Sequence, residues 1–251
     1  MSQGSHTPAP GPNLPAGPNL PAGKVSPFST DAIGAGGAGG TATATRFWWV
    51  RHAPVEHDGR IYGQKDMPCD CTDAAVFAGL ARQLPRDAVW VTSNLRRTHE
   101  TARAIVRAGL PGPDPIPGPG TQAIPDLAEQ DFGDWQGLTY EELHESRGGA
   151  FHRFWHAPAH QQAPGGESFI EVMQRVARAV HGLIEPNRGR DIIAVAHGGT
   201  IRAALGLALG LDPEACLAFT MENCSVTRID HIDGPGMGHG WRVITVNRPP
   251  R

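Results

Sequence analysis

Past its first 45 residues the sequence predicts one α/β domain built on a mostly parallel sheet. Three observations carry that expectation. Short apolar runs of strand length recur along the chain, at RFWWV (46–50), AVWVTS (88–93), DIIAVAH (191–197) and WRVITV (241–246). Segments with apolar residues spaced by three and four lie between them. Two of those segments open on a capping box, which marks a helix start. Strands alternating with helices are the pattern of a parallel sheet whose crossovers are helical.

The elements follow in order. All four runs, RFWWV, AVWVTS, DIIAVAH and WRVITV, are short and continuously apolar, the composition of strands buried on both faces. DAAVFAGLARQL (73–84) places Ala, Val, Phe and Leu on one helical face. Arg96 and Arg97 open a helix directly behind the strand that ends at Ser93. PGPDPIPGPG (111–120) is a surface loop, because proline removes backbone donors and fixes φ. Thr139 with Glu142 starts one capped helix, and Ser168 with Glu171 starts another that runs into VMQRVARAVHGLI. IRAALGLALG (201–210) reads as a buried helix.

Residues 1–45 differ in kind. They are rich in Gly, Pro, Ala, Ser and Thr, with the hexamer GPNLPA at 11–16 repeated at 17–22 and GAGGAGG at 34–40. Such a composition holds too few apolar side chains to offset the entropy of ordering, so a disordered leader is expected over 1–45 and a single domain over 46–251. The leader has no early charge followed by an apolar stretch, as a secretory signal would. The four cysteines, Cys69, Cys71, Cys216 and Cys224, lack zinc-site spacing and read as free thiols, which suggests a cytoplasmic protein. A formal net charge of −3 gives no basic field for nucleic acid or anionic membrane, and no apolar run has the length of a membrane span.

Positive charge is instead concentrated at strand ends. The first strand ends at Arg51-His52, the second at Ser93 with Arg96 and Arg97 beyond, and DIIAVA at His197 followed by Gly198-Gly199 and a helix. In parallel sheets, sites form at the carboxyl ends of strands. If these ends are neighbours, two histidines and an arginine meet beside a helix N-terminus, an arrangement suited to phosphate. Taken singly, each fragment is a polar strand exit, a tight turn or a solvated charge pair.

RHAP (51–54), SNLRRTHETA (93–102), EQDFGDWQG (129–137) and AHGGTIRA (196–203), in this order, resemble the motifs of the histidine phosphatase, or phosphoglycerate mutase-like, superfamily. The resemblance spans about 46–246. It implies a three-layer α/β/α sandwich and two-step phosphoryl transfer through a phosphohistidine, with no metal or other cofactor. It makes His52 the nucleophile, Glu129 the proton donor and His197 the stabiliser of the transferring group. Arg51, Arg97 and Gly198 join His52 and His197 in holding phosphate. Asp131 is the rival acid on spacing alone.

Two positions depart from the family pattern. Ala53 stands where many members have glycine, and Asp58 where many have a phosphate-contacting asparagine; a carboxylate there repels phosphate unless it is turned away or paired with Arg60. His57 reads as loop. The short segment between Glu129 and GGES (165–168) favours a phosphatase over a mutase, since a small lid admits water. GRIYGQKDMPCD (59–70) resembles α-ribazole phosphatases of cobalamin synthesis, with Arg60, Tyr62 and Gln64 as candidate pocket residues. Trp135, Phe151, Phe154 and Trp155 are candidates for an apolar wall or for packing, and Glu167 for a helix cap. The expected partner is a small phosphorylated metabolite. Mutase chemistry and a non-catalytic phosphate-binding scaffold are the alternatives, and the oligomeric state is open, a homodimer included.

Overall fold

The computed structural model describes residues 42–146 and 152–250. Most of the expected leader and Phe151 therefore lie outside the described residues. The described chain forms a six-stranded sheet in the order β3-β2-β4-β1-β5-β6. Its strands are β1 (Thr43–Arg51), β2 (Val89–Thr92), β3 (Thr121–Ala123), β4 (Asp191–Ala196), β5 (Val226–Asp233) and β6 (Trp241–Arg248). The helices are α1 (Ala74–Gln83), α2 (Arg96–Arg107), α3 (Tyr140–Ser146), α4 (Phe169–Ile184), α5 (Gly198–Leu209) and α6 (Pro213–Leu217).

Strand side chains alternate between two faces, and each face meets its own helices. Phe47, Trp49, Ile192, Ala194 and Ala196 pack with α4, α5 and α6. Val50, Trp90, Ile193 and Val195 pack with α1 and α2. The result is the expected α/β/α arrangement. The central pairs β1–β4, β2–β4 and β2–β3 are parallel, whereas β5 and β6 add an antiparallel edge next to β1. Asp191 pins the start of β4 to β1, accepting two bonds from the Arg46 guanidinium and one from Trp48 Nε1 at 2.7 Å.

Both capping boxes form. Ser168 Oγ accepts from Glu171 N while Glu171 accepts from Ser168 N, and Thr139 and Glu142 do the same. No helix or strand interrupts 111–120. Several expectations are corrected. β1 starts three residues early, so Thr43–Thr45 belong to the domain and not to a leader. α5 starts at Gly198 instead of 201, which makes both glycines after His197 helical. β6 is an edge strand with alternating exposure, not a strand buried on both faces. β3 and β5 carried no apolar run. β3 has three residues, and β5 buries Asp230 beside Arg228, whose guanidinium bonds that carboxylate and stacks on Trp48 at 4.6 Å.

Candidate active site

Because β4 lies between β1 and β2, their carboxyl ends are adjacent. Arg51 is level with Ala196, and Thr92 with Val195. His52, Ser93 and His197, each one residue past its strand, therefore emerge side by side. All three are fully buried, as is Arg97 in the first turn of α2. The rings of His52 and His197 are 5.1 Å apart, centroid to centroid.

Hydrogen bonds assign the two tautomers. His52 Nδ1 lies 2.7 Å from the Ala53 carbonyl, which only accepts, so Nδ1 carries the proton. In the neutral ring Nε2 then holds a free lone pair, and it is a buried nitrogen with no hydrogen-bond partner. His197 is the reverse. Arg97 Nε donates to its Nδ1 at 3.3 Å, so Nε2 bears the proton and donates to Ser93 Oγ at 2.8 Å.

Burial, reinforced by the charges of Arg97 and Arg51, holds His52 well below the usual histidine range. Burial and then Arg97 do the same to His197, with His52 adding to it. Both rings are thus neutral at pH 7. Unfolded histidines protonate near pH 6.5, so below that value the unfolded chain binds more protons than the folded one. The contribution of these residues to stability is complete above about pH 6.5 and is lost as pH falls, at about 1.4 kcal/mol per pH unit for each ring, until the folded-state values are reached. Denaturant melts from about pH 7.5 down to 4.5 should show this steepening. A flat profile would contradict the buried neutral pair.

Arg97 is spread over three acceptors. Besides His197 it donates to Gly63 O at 2.6 Å and Lys65 O at 2.9 Å, tying the 63–65 loop to the site. Gly63 has φ +43°, and a Cβ there would meet Gln136 Oε1 at 2.5 Å, so the turn requires glycine. Arg51 donates through Nη1 to Met221 O, and its Nε is buried without a partner.

Glu129 sits at the N-terminus of α5. Its Oε1 accepts from Gly199 N at 3.1 Å and from Gln130 N at 3.0 Å. A Cβ at Gly199 would overlap Oε1, so glycine permits this approach. Arg175 and Glu167 hold the segment that carries Glu129. Arg175 pairs with Glu167 at 2.7 Å and donates to the carbonyls of Asp126, Ala128 and Glu129. Glu167 also accepts from Asp131 N at 2.9 Å, so it is an anchor and not the expected helix cap, a place taken by Ser168. Asp131 Oδ1 accepts from Gly133 N, and Asp131 is absent from the cavity wall.

A cavity of about 630 Å³ opens over this floor, bounded by Arg51, Glu129, Gly198 and the side chains of Tyr62, Tyr140 and Trp155 among others. Arg60 lies at its wall but bonds Gly137 O and Glu142; the exposed Asp58 is not its partner. Gln64 does not line the cavity, and its amide braces the Glu129 carbonyl at 3.0 Å. His57 is in a loop, as expected, yet reaches the cavity. Phe154 and Trp155 line it, while Trp135 is buried with Ile61, Phe132 and Leu143. The sequence reading missed Tyr140, His156 and Arg202. The signal for Arg202 was present: it follows Gly198 by four residues, one helical turn. Among the described residues no group of three His, Cys, Asp or Glu side chains is placed to hold a metal ion, and no helix is long and apolar enough to cross a membrane.

The family model of the histidine phosphatase superfamily (branch 1) matches residues 47–246, from the second half of β1 through most of β6. The chain belongs to this superfamily. Within it, the mycobacterial glucosyl-3-phosphoglycerate phosphatase Rv2419c is a similar solved structure, 28% identical, with a TM-score of 0.67 over 82% of this chain and 99% of that one. The Probable phosphoglycerate mutase GpmB of Cronobacter sakazakii is 29% identical over 78% of this chain and 89% of its own length. The Bifunctional protein Rv2228c of Mycobacterium tuberculosis is 32% identical over 69% of this chain, but the match spans only 47% of Rv2228c, about half its length. Of these relatives, Rv2419c is described as a phosphatase and GpmB as a probable mutase.

Proposed function

We propose that this histidine phosphatase hydrolyses a small phosphomonoester through a phosphohistidine on His52. The observation that carries the reading is the tautomer of His52. Its proton is held at Nδ1 by the Ala53 carbonyl, leaving an unprotonated Nε2 next to the guanidinium of Arg97 and the second histidine.

His52 Nε2 attacks phosphorus, forming the P–N bond as the ester P–O bond breaks. Arg51, Arg97, His197 and the Gly198 N–H at the start of α5 surround the charge spread over the three phosphoryl oxygens. Arg97 and Arg51 are already braced by backbone carbonyls, so they need little reorganisation. Glu129 gives a proton to the leaving alkoxide. A water then attacks phosphorus, passes its proton to the Glu129 carboxylate, and the P–N bond breaks to return the lone pair to His52. Inorganic phosphate leaves. His52 has no accessible surface, so the phosphoryl group reaches Nε2 by displacing side chains at the cavity floor.

Water access favours hydrolysis over return of the phosphoryl group to a second alcohol. Tyr140 and Phe154, at the cavity wall, are 57% and 60% exposed, so at these two side chains the wall faces solvent. Likeness to GpmB supports the mutase reading as the second choice. A panel of 3-phosphoglycerate, glucosyl-3-phosphoglycerate, α-ribazole phosphate and sugar phosphates separates them. Phosphate release without 2-phosphoglycerate is expected; 2-phosphoglycerate as the main product would make the chain a mutase. The free thiols fit a reducing, cytoplasmic setting.

A further inference from the structure

Arg202 is a guanidinium that the phosphoryl chemistry does not use. Its Nε donates to Phe219 O at 2.7 Å, and its plane lies 4.4 Å from the ring of Trp155. Trp155 is fixed in turn by a bond from Nε1 to Gln130 Oε1 at 3.0 Å. The turn that receives Arg202 through Phe219 also receives Arg51 through Met221, so two cations are set side by side at the mouth of α5. A Cβ placed on Gly198 would lie 3.2 Å from Arg202 Nη1 and 3.6 Å from Arg51 Nε.

The two arginines differ in what they act upon. The charges that hold His52 and His197 low include Arg97 and Arg51, and not Arg202. The charge of Arg202 bears on His156 and, together with that of Arg51, on Tyr140, both at the wall of the cavity. Arg202 and the Trp155 ring beneath it line that cavity, whereas His52, Arg97 and His197 do not, so Arg202 lies on the side where a leaving group sits. Among the described residues no carboxylate pairs with it, and burial lowers it to about 10, against the weaker pull of Glu129. A desolvated cation stays costly until an anion meets it.

We propose that Arg202 selects phosphomonoesters whose leaving group carries a carboxylate, which its two Nη groups receive while Arg51 and Arg97 hold the phosphoryl group. The fork of a guanidinium matches a planar carboxylate, and stacking on Trp155 fixes its plane in advance. One carboxylate also balances one unpaired cation. The proposal rests on the phosphomonoesterase reading, because the leaving group is defined by where phosphorus is attacked.

The test uses 3-phosphoglycerate and glycerol 3-phosphate, which differ only in a carboxylate replaced by a hydroxymethyl group. The wild-type enzyme is expected to favour the carboxylate ester by roughly 10–100-fold in kcat/KM, the range for a charge-assisted hydrogen-bonded pair. In Arg202→Met that ratio falls towards one, chiefly through KM, and Arg202→Lys restores part of it. Equilibrium binding of both esters to His52→Ala protein reads the same preference without turnover and without altering Arg202. Equal binding of the two esters there, or an unchanged kcat/KM ratio in Arg202→Met, overturns the proposal. A parallel loss on both esters also overturns it, since Arg202 would then hold the phosphoryl group. Absence of a phosphoenzyme in the wild type with carboxylate-selective binding intact would instead overturn the catalytic reading.

Discussion

Replacing His52 with alanine abolishes phosphate release, by a factor on the order of 10⁴–10⁶, and leaves no acid-labile phosphoenzyme. The size of the loss follows from the geometry. Nε2 is the one unprotonated, unpartnered ring nitrogen of the pair, because Arg97 and Ser93 occupy both nitrogens of His197. His197 therefore has no lone pair with which to substitute. Rapid-quench labelling with a ³²P-phosphomonoester checks both parts of the expectation. Phosphate release at the wild-type rate, or label retained in the variant, would remove His52 from the mechanism. The variant should also unfold less steeply in acid than the wild type, because one of the two buried neutral rings is gone. That second readout shows whether the altered chain is still folded around the site.

The largest expected effect on stability belongs to Arg175→Met, a loss of about 3–5 kcal/mol. Arg175 and Glu167 are an ion pair with side chains only 10% and 17% exposed, and removal of the arginine leaves Glu167 without its charge partner. It also removes donors from the carbonyls of Asp126, Ala128 and Glu129. Glu167→Leu combined with Arg175→Met should restore much of the stability, since deleting both charges leaves neither stranded. Activity should stay low in the double variant, because the 126–131 segment has lost the clamp that aims Glu129 at the N-terminus of α5. Chemical denaturation of the two single variants and the double variant closes the cycle. Additive losses would mean that the pair is not coupled.

The fold was legible where one run of residues stated its own environment. RFWWV and DIIAVAH are apolar enough to exist only between two helical layers, and Ser168 with Glu171 specifies a helix start by side-chain chemistry alone. β5 was not legible. Its Arg228 and Asp230 satisfy each other within the sheet, and a pair made by the fold leaves no hydrophobic period in the sequence. Gly198 and Gly199 looked like a turn because glycine is poor in helix interiors. They are helical because Glu129, seventy residues away, needs a backbone N–H without a side chain in front of it.

The site divides along the same line. Arg51, His52, Arg97 and His197 stand at strand ends or a helix start that local sequence encodes, whereas Glu129 lies in an irregular segment and could be named over Asp131 only through the resemblance to the family pattern. Gln64 and Glu167 were assigned to the wrong kind of work, because both act through backbone atoms of a distant loop. The sequence by itself determined that two histidines and two arginines stand at the ends of predictable elements, the charge pattern of an anion site. Only the tertiary structure decided the protonation of each histidine, the clamp on Glu129 and the placing of Arg202 beside Trp155. Those depend on which carbonyls, hydroxyls and rings meet across the sheet, and such distances exist only once the chain is folded.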